Sequence, residues 1–377
     1  MQRVLLAGDV GGTFTRFNVT IGDKLVVKEQ GAALPFGKDG MKAMLPHPTK
    51  KNSSLGITEA GSVLKLRHST MSVAQLFVCP KPDCLAVLEE KLLIVDKAKH
   101  AHLYDLTTCE QVSEFRIPTN NVSDPLVIGA NSTHLVYCTK AMGPAFIPIP
   151  SIISFGVHDR VKSIKPEVAF RLKPSLDARL SIDDLIQPTS ILATDAAVLL
   201  GCRDGAVLYY ALPHTDGRPQ WKVELPVPVT SLAMHGDIVL AGSTRGRVSL
   251  INTTVAKPKE ECALPDLSGA VAGIEMLSVG EAEATILTFG IGGRIFVHHV
   301  LLEHNKWRAD SVLNEFARKR MTCGVLVAGI EATPGEAEEE EVDFGSGAVV
   351  GPRKMPETEP EKAADEDEEE DDEEFNL

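Results

Sequence analysis

The sequence predicts an all-β protein of 377 residues, folded as a seven-bladed propeller that ends in an acidic tail. Three observations lead to this prediction. Short runs of β-branched residues are interrupted throughout by Gly, Pro, Asn and Asp, which is typical of all-β chains. One hairpin-like pattern recurs along the chain. Acidic residues are concentrated after residue 330.

The recurring pattern is an apolar strand, a tight turn that closes on Gly, and a second apolar strand. Its clearest copy spans residues 239–252, and residues 5–18 repeat it almost position for position. Five further copies follow the same plan, two of them weaker. The seven turns are marked by Gly12, Gly61, His100, Gly143, Gly205, Gly246 and Gly293. A period of roughly 40–45 residues with one such hairpin per unit is typical of four-stranded propeller blades.

The spacing of the turns also predicts the domain boundaries. The blades occupy residues 1–330, and the longest step between turns predicts a loop insertion within residues 154–184. The first copy begins at residue 3, so the edge of its first strand needs a partner. The strand-like segment 321–328 is predicted to return and close the first blade. Residues 310–319 are predicted to form a short helix.

The charge of the chain is unevenly distributed. The formal net charge is −14, but residues 331–377 hold 20 Asp and Glu against three basic residues, a net −17. Residues 1–330 hold 32 acidic and 35 basic side chains, a net +3. The tail is predicted to be disordered, because its acidic runs repel one another. It is either a solubilising segment, a binding site for basic proteins, or a segment that folds back over a basic surface.

Composition excludes several classes of protein. No segment has the apolar core of a signal peptide or the length of a membrane span, so the expected protein is soluble and intracellular, with no membrane partner. The seven cysteines are scattered without a Cys-x-x-Cys pair, which predicts reduced thiols and no structural zinc. No residue is assigned to a metal, a cofactor or a catalytic role.

One local motif favours an enzyme. Residues 9–16, Asp-Val-Gly-Gly-Thr-Phe-Thr-Arg, resemble the first phosphate-binding loop of the glucokinase-like sugar kinases. That family would need alternating strands and helices, a further catalytic Asp and a glycine-rich adenosine loop, and none of these is evident. Gly12 also occupies the same turn position as Gly205 and Gly246, where a positive φ is wanted. The sequence therefore predicts a non-enzyme, with the sugar kinase kept as an alternative.

A longer resemblance covers residues 225–330. The segments that carry it are residues 228–232, the hairpins around Gly246 and Gly293, residues 267–274 and residues 319–326. Their order and spacing resemble the WD-repeat nucleolar factors of large-ribosomal-subunit assembly, of the WD repeat-containing protein seventy-four type. The resemblance implies a WD40-type propeller without catalysis that binds precursor rRNA and pre-ribosomal proteins, is released by an AAA-type ATPase, and resides in the nucleus and nucleolus. The chain departs from that family in its scarce Trp and its acidic tail.

A candidate binding surface follows from the repeat. Because all blades share one orientation, the recurring turns lie on one face. Asp9, Glu59 and Asp204 are the acidic residues of these turns. The basic residues outnumber them and are Lys97, Lys99, Lys140, Arg203, Arg245, Arg247 and Arg294. This excess predicts a surface that contacts the phosphates of structured RNA. The alternative is a protein-binding scaffold of another nuclear or cytoskeletal complex.

Overall fold

The computed structural model describes residues 2–21, 26–33, 39–79, 81–119, 121–140, 143–155, 164–169, 187–213, 219–265, 267–280, 282–304 and 306–328. Within them the chain forms twenty-eight strands and one five-residue helix. The strands build seven antiparallel sheets of four strands each. This confirms the predicted all-β, seven-bladed propeller. The acidic tail, residues 331–377, lies outside the described residues.

The elements of the first four blades run in chain order. They are β1 (Gln2–Asp9), β2 (Phe14–Thr20), β3 (Val26–Ala33), β4 (Met41–Pro46), β5 (Ser53–Thr58), β6 (Ser62–Arg67), β7 (Val73–Val78), β8 (Pro82–Leu88), β9 (Lys91–Asp96), β10 (His100–Asp105), β11 (Gln111–Arg116), β12 (Leu126–Ala130), β13 (His134–Thr139), β14 (Ala145–Pro148), α1 (Ile149–Ile153) and β15 (Val168–Ala169).

The remaining strands form the last three blades and complete the first. They are β16 (Pro188–Ala193), β17 (Ala197–Cys202), β18 (Ala206–Ala211), β19 (Trp221–Glu224), β20 (Val229–His235), β21 (Ile238–Ser243), β22 (Val248–Asn252), β23 (Glu260–Leu264), β24 (Val271–Val279), β25 (Glu283–Gly290), β26 (Arg294–Glu303), β27 (Lys306–Phe316) and β28 (Met321–Ala328).

The first blade is assembled from both ends of the chain. Its strand order is β28-β1-β2-β3, and β28 pairs antiparallel with β1 from Arg3 opposite Ala328 to Asp9 opposite Met321. The innermost strands β28, β4, β8, β12, β16, β20 and β24 surround the central channel, and neighbouring inner strands touch along most of the ring. The ring is therefore closed by main-chain hydrogen bonds between the first and last strands.

Apolar side chains fill every interface between blades. Seven hydrophobic clusters occur, and each joins residues of two adjacent blades. Leu6 of the first blade and Leu66 of the second, for example, belong to one cluster, and both are fully buried. Because each sheet covers its two neighbours, β17 and β21 are buried along their whole length. The propeller core is thus a circle of interfaces rather than one central mass.

The predicted turns connect the second and third strands of each blade. Gly12, Gly61, Gly205, Gly246 and Gly293 have φ between 74° and 97°, as their turn position requires. In the third blade the residue with positive φ is Lys99, at 66°, rather than the neighbouring His100. At Gly246 a side chain is also excluded sterically, because a Cβ atom would meet the Leu267 carbonyl oxygen at 1.8 Å.

A β-bulge recurs at the second residue of the inner strands. In six blades the pairing with the next strand skips this residue, and the fourth blade alone pairs β12 without a skip. The skipped residues are Lys42, Asp83, Thr189, Thr230, Ala272 and Thr322. Four of them donate a side-chain hydrogen bond to the first residue of the next inner strand, at the carbonyls of Pro82, Val229, Val271 and Met41. These inter-blade bonds are called latches below.

Two expectations have a different outcome. The helix predicted over residues 310–319 is wrong, because residues 306–316 form β27, the outer strand of the last blade. Most of its residues are exposed, and the apolar residues at 312, 313, 316 and 317 are spaced as on one face of a helix. The pairing with β26 nevertheless decides the conformation. The predicted insertion within residues 154–184 falls mostly outside the described residues.

Candidate nucleic-acid interface

The face that carries the turns between second and third strands is called the turn face. The loops that lead from an outer strand to the next inner strand open on the same side, since β4 begins where β5 ends: Met41 pairs with Thr58. The opposite face carries the turns that join the inner strands to the second strands. The basic residues predicted to bind RNA can therefore be placed individually on the turn face.

Four of the predicted residues present their charge to solvent. Lys97, Arg203 and Arg245 are exposed in the turns of the third, fifth and sixth blades, and Lys140 is half-buried at the end of β13. Arg203 donates to the side-chain oxygen of Gln187 at 3.3 Å. None of these four forms an ion pair with another described residue. Their charge is available to an anionic ligand.

Arg294 is held in a different setting at the start of β26. Its guanidinium donates to the Asn314 side-chain oxygen at 2.8 Å and lies 5.4 Å from the centre of the Phe316 ring. Phe316 is 53% exposed. An arginine held against an exposed aromatic ring is an arrangement that can stack on an unpaired base. Arg294 is therefore oriented as well as charged.

Lys99 and Arg247 are neutralised by carboxylates. Lys99 is only 3% exposed, and its Nζ lies 2.7 Å from Oδ2 of Asp83. Arg247 donates through Nε and Nη2 to Oε1 of Glu260 at 3.0 and 2.8 Å, and Ser249 donates to the same oxygen. Both side chains bind neighbouring strands together. They lie at the predicted face, but their charges are already engaged.

The acidic residues of the turns also differ in their exposure. Asp9 is only 9% exposed, and its Oδ1 accepts hydrogen bonds from the main-chain N–H groups of Gly11 and Thr13 at 2.9 and 2.7 Å. Asp204 is exposed and accepts from the Ala206 N–H at 3.1 Å. Glu59 is exposed in the second blade. Asp9 therefore shapes its turn and adds little negative charge to the surface.

Three exposed basic residues of this face were missed by the sequence reasoning. Lys81, Arg318 and Arg320 lie in the loops that precede β8 and β28. Lys97 donates its main-chain N–H to the Lys81 carbonyl at 3.1 Å, so the two lysines belong to adjacent loops. Only the hairpin turns were considered in the sequence, although the loops between blades open on the same side. The Arg-Lys-Arg run at 318–320 was the available signal.

The Asp9 loop does not have the properties of a phosphate site. Phosphate loops present free N–H groups to the ligand, whereas the N–H groups of Gly11 and Thr13 are bonded to the Asp9 carboxylate. The N–H of Gly12 is bonded to the Asp9 carbonyl. The loop is a turn stabilised by its own aspartate. The described chain also lacks the alternating strands and helices of a sugar kinase.

Among the described residues, hydroxyl–histidine pairs occur at the surface, where Thr133 Oγ1 lies 2.7 Å from Nδ1 of His134, and in the interior. The Ser54 hydroxyl lies 2.8 Å from Nε2 of His68, and both side chains are fully buried. Thr288 and His298 form an equally buried pair at 3.0 Å. Burial lowers the pKa of both histidines to about 4, so they are neutral at physiological pH. Such pairs satisfy buried polar groups between strands.

The cysteines are free thiols, and four of the seven are buried. Burial raises the pKa of Cys84 to about 12, and its Sγ donates to the Leu126 carbonyl at 3.0 Å. No group of three or more His, Cys, Asp or Glu side chains with metal-site geometry occurs among the described residues. Within the same residues no helix is long and apolar enough to cross a membrane.

Comparison with known proteins defines the class of the fold. Sqt1 of Saccharomyces cerevisiae superposes with a TM-score of 0.56 at 16% identity, covering 78% of this chain and 80% of that chain. The WD40 repeats of RRP9 give 0.52 at 12% identity, covering 74% and 82%. The computationally designed Ika8 protein gives 0.55 at 13% identity, covering 85% and 86%.

These structural similarities make the chain a WD40-type seven-bladed propeller. No protein-family profile matches the sequence, and no curated protein matches it. At identities of 11–16% the neighbours, which include U3-55K, share the fold alone. Propellers host many unrelated functions, so any function must be argued from the surface of this chain.

Proposed function

We propose that this chain is a non-catalytic WD40 scaffold in ribosome biogenesis that binds precursor rRNA and assembly proteins of the large ribosomal subunit. The observation that carries the proposal is the charge of the turn face. Among the described residues of its turns and loops, the exposed basic ones are Lys81, Lys97, Arg203, Arg245, Arg318 and Arg320. In the described part of the same turns and loops, the exposed acidic residues are Asp39, Glu59 and Asp204.

This surface suits a polyanion better than a single phosphate. The basic side chains belong to loops of the first, third, fifth and sixth blades, so the charge is spread around the ring. A ligand that contacts several of them must carry repeated negative charges, as a folded RNA backbone does. The Arg294–Phe316 pair adds a position for an unstacked base.

The assignment to ribosome assembly rests on the resemblance of residues 225–330 to the large-subunit assembly factors. From it we propose localisation in the nucleus and nucleolus, and release from the maturing particle by an AAA-type ATPase. Basic ribosomal proteins are a further class of partner, because the acidic tail offers them a complementary charge.

The first experiment identifies the partners. The full chain is captured from cells, and the RNA and proteins that accompany it are sequenced. Large-subunit rRNA precursors with their assembly proteins support the proposal. Recovery of tubulin or of a nuclear complex without rRNA would replace it with the alternative scaffold function, and sugar-dependent ATP hydrolysis by the purified chain would restore the kinase interpretation.

The second experiment tests the surface. Reversal of Lys97, Arg203 and Arg245 to Glu is expected to weaken binding of structured RNA and to reduce the slope of log Kd against log salt by about 2–3, since each lost phosphate contact removes about 0.7–0.9. The matched control reverses Lys51, Lys257 and Lys259, which are exposed on the opposite face, to Glu. Equal losses in the two triple variants would mean that net charge alone, and not the turn face, governs binding.

A further inference from the structure

A cavity opens at the mouth of the central channel on the opposite face. Its volume is about 390 Å³, and it lies between the ends of the inner strands β16, β20 and β24. Leu192, Leu232, Met234 and Met276 supply apolar walls. Unbranched methionine side chains can adapt to ligands of different shapes. The cavity is thus suited to apolar side chains from another segment.

Acidic side chains lie around the apolar walls. Glu275 lines the cavity from β24, and its carboxylate accepts a hydrogen bond from the Leu326 main-chain N–H. Asp195 and Asp237 are exposed in the turns that follow β16 and β20, at the same mouth of the channel. Apolar walls beside these acidic side chains favour a ligand that combines apolar side chains with a nearby positive charge.

The last described strand ends beside this cavity. Leu326, which is bonded to Glu275, lies two residues before Ala328, the last described residue of the chain. Ala328 pairs with Arg3 at the end of β1 that is farthest from the turn face. The strand β28, which neighbours the cavity strand β24, therefore ends at the opposite face.

The tail contains one segment with the required chemistry. All 20 acidic residues of the tail lie in residues 331–343 and 356–377, and the twelve residues of 344–355 contain none. This segment reads Phe-Gly-Ser-Gly-Ala-Val-Val-Gly-Pro-Arg-Lys-Met. It combines apolar residues with the pair Arg353 and Lys354, which are two of the three basic residues of the tail.

The connecting chain is long enough to reach the cavity. From Ala328 to Val349 a flexible chain has a typical end-to-end distance of about 25 Å, and fully extended it spans about 70 Å. A tether of this length gives an effective concentration on the order of millimolar. A weak intrinsic interaction is then sufficient for occupancy within one molecule.

We propose that residues 344–355 occupy the channel cavity of their own propeller. Their apolar residues contact Met234 and Met276, and Arg353 and Lys354 lie against Asp195, Asp237 and Glu275. The two acidic stretches that flank the segment are repelled by the same carboxylates and extend away from the opposite face. The cavity is thus a docking site for residues 344–355 of the tail, and the acidic stretches on either side remain accessible to basic partners.

Cross-linking of the full chain tests this arrangement. A benzophenone amino acid replaces Val350, and illumination followed by peptide mass spectrometry locates the product. The expected cross-links join position 350 to Met234 or Met276 within one molecule. The same probe at Phe375, in the last acidic stretch, is the control and is expected to leave the cavity unlabelled. Because both substitutions lie in the tail, folding of the propeller is not at risk.

A charge reversal tests the electrostatic part. Arg353→Glu is expected to reduce the yield of cavity cross-links several-fold, whereas Lys362→Glu, outside the segment, leaves the yield unchanged. Cross-links from position 350 to the turn face, or a complete absence of cavity cross-links, would overturn the proposal. So would cross-links between isotopically light and heavy copies in a mixed sample, because they would identify a second molecule as the occupant.

Discussion

The hydroxyl of Thr189 donates a hydrogen bond of 2.6 Å to the main-chain carbonyl of Val229, and so joins the inner strands of the fifth and sixth blades. Thr230 repeats the contact one blade further, donating to Val271 at 2.8 Å. Both threonines are the extra residues of β-bulges, which turn their side chains toward the next blade. The bulges thereby add hydrogen bonds to the apolar contacts between these blades.

Removal of one of these inter-blade hydrogen bonds is expected to lower the free energy of unfolding measurably. Thr189→Val keeps the shape of the side chain but leaves the Val229 carbonyl without this donor, so the free energy of unfolding should fall by about 1 kcal/mol. Thr189→Ser retains the hydroxyl and should recover most of the loss. Urea unfolding followed by fluorescence measures both. Equal stability of the valine variant and the parent would show that the latch contributes nothing.

Lys99 and Lys97 should respond very differently to mutation, although they are two residues apart. Lys99→Ala removes the buried partner of Asp83 and is expected to lower the free energy of unfolding by about 2 kcal/mol or more. Lys97→Ala, at an exposed position, should change it by less than about 0.5 kcal/mol. Lys97→Ala should instead weaken RNA binding. A stability loss of the same size in both variants would contradict these assignments.

The turn glycines can be ranked by their surroundings. At Gly246, with φ of 90°, an added Cβ would lie 1.8 Å from the Leu267 carbonyl oxygen. Gly246→Ala is therefore expected to lower the free energy of unfolding by more than about 2 kcal/mol, because it strains the backbone and displaces the neighbouring loop. Gly236 also has positive φ, 54°, but a Cβ there meets nothing within 4 Å. Gly236→Ala should cost only about 1 kcal/mol; thermal unfolding distinguishes the two variants.

Three buried histidines predict a loss of stability in acid. Burial lowers the pKa of His47, His68 and His298 to about 4, and for His47 the nearby Lys65 and Lys50 lower it further. In the unfolded chain these groups have a pKa near 6.5. As the pH falls from 6.5 toward 4, the unfolded state binds protons that the folded state does not, so stability decreases by up to about 1.4 kcal/mol per pH unit for each histidine.

The variant His298→Gln tests this linkage. It removes one of the three titrating groups, so the urea midpoint should depend less steeply on pH between pH 6.5 and 4. Any pH-independent loss of stability caused by the substitution shifts all midpoints equally and does not affect this slope. An unchanged pH profile would show that His298 is protonated in the folded state.

Glu275 has the opposite pH dependence. Burial raises its pKa to about 7, although the hydrogen bond from Leu326 lowers it in part. The stabilisation that comes from this raised pKa is complete below about pH 4.3, the pKa of the group in the unfolded chain. It is lost as the pH rises toward 7, with a slope of at most about 1.4 kcal/mol per pH unit. Because Glu275 is only half-buried, solvent screening makes the pKa shift smaller and so narrows the pH range over which stability changes. Glu275→Gln should remove the dependence, which unfolding measurements at pH 5 and 7 would detect.

Much of the architecture could be predicted from the repeat. The turns at Gly12, Gly61, Gly205, Gly246 and Gly293 were identified because a positive φ needs glycine, and the number of blades followed from their spacing. The pairing of β28 with β1 joins residues more than 300 positions apart, yet the unpartnered first strand pointed to it. The outer strand β27 was mistaken for a helix, because few of its residues are buried and no clear period of two remains.

The surface could be predicted only in part. Sequence order gave the face on which Lys97, Arg203 and Arg245 lie, since every blade has the same orientation. It could not show that Lys99 is bonded to Asp83, or that Arg247 is bonded to Glu260, because those partners come from other strands. It also could not place Glu275 beside Leu326, 51 residues later, at the start of the tail.

The class of fold and the number of blades are readable from the chain, because local patterns of apolar residues and glycines encode them, and the separation of charge follows from the acidic residues after 330. The folded arrangement was needed to show which basic residues remain available, which are neutralised, and where the channel opens beside the end of β28. The physical reason is that burial and ion pairing depend on side chains brought together from different blades, and no local pattern in the chain records those distances.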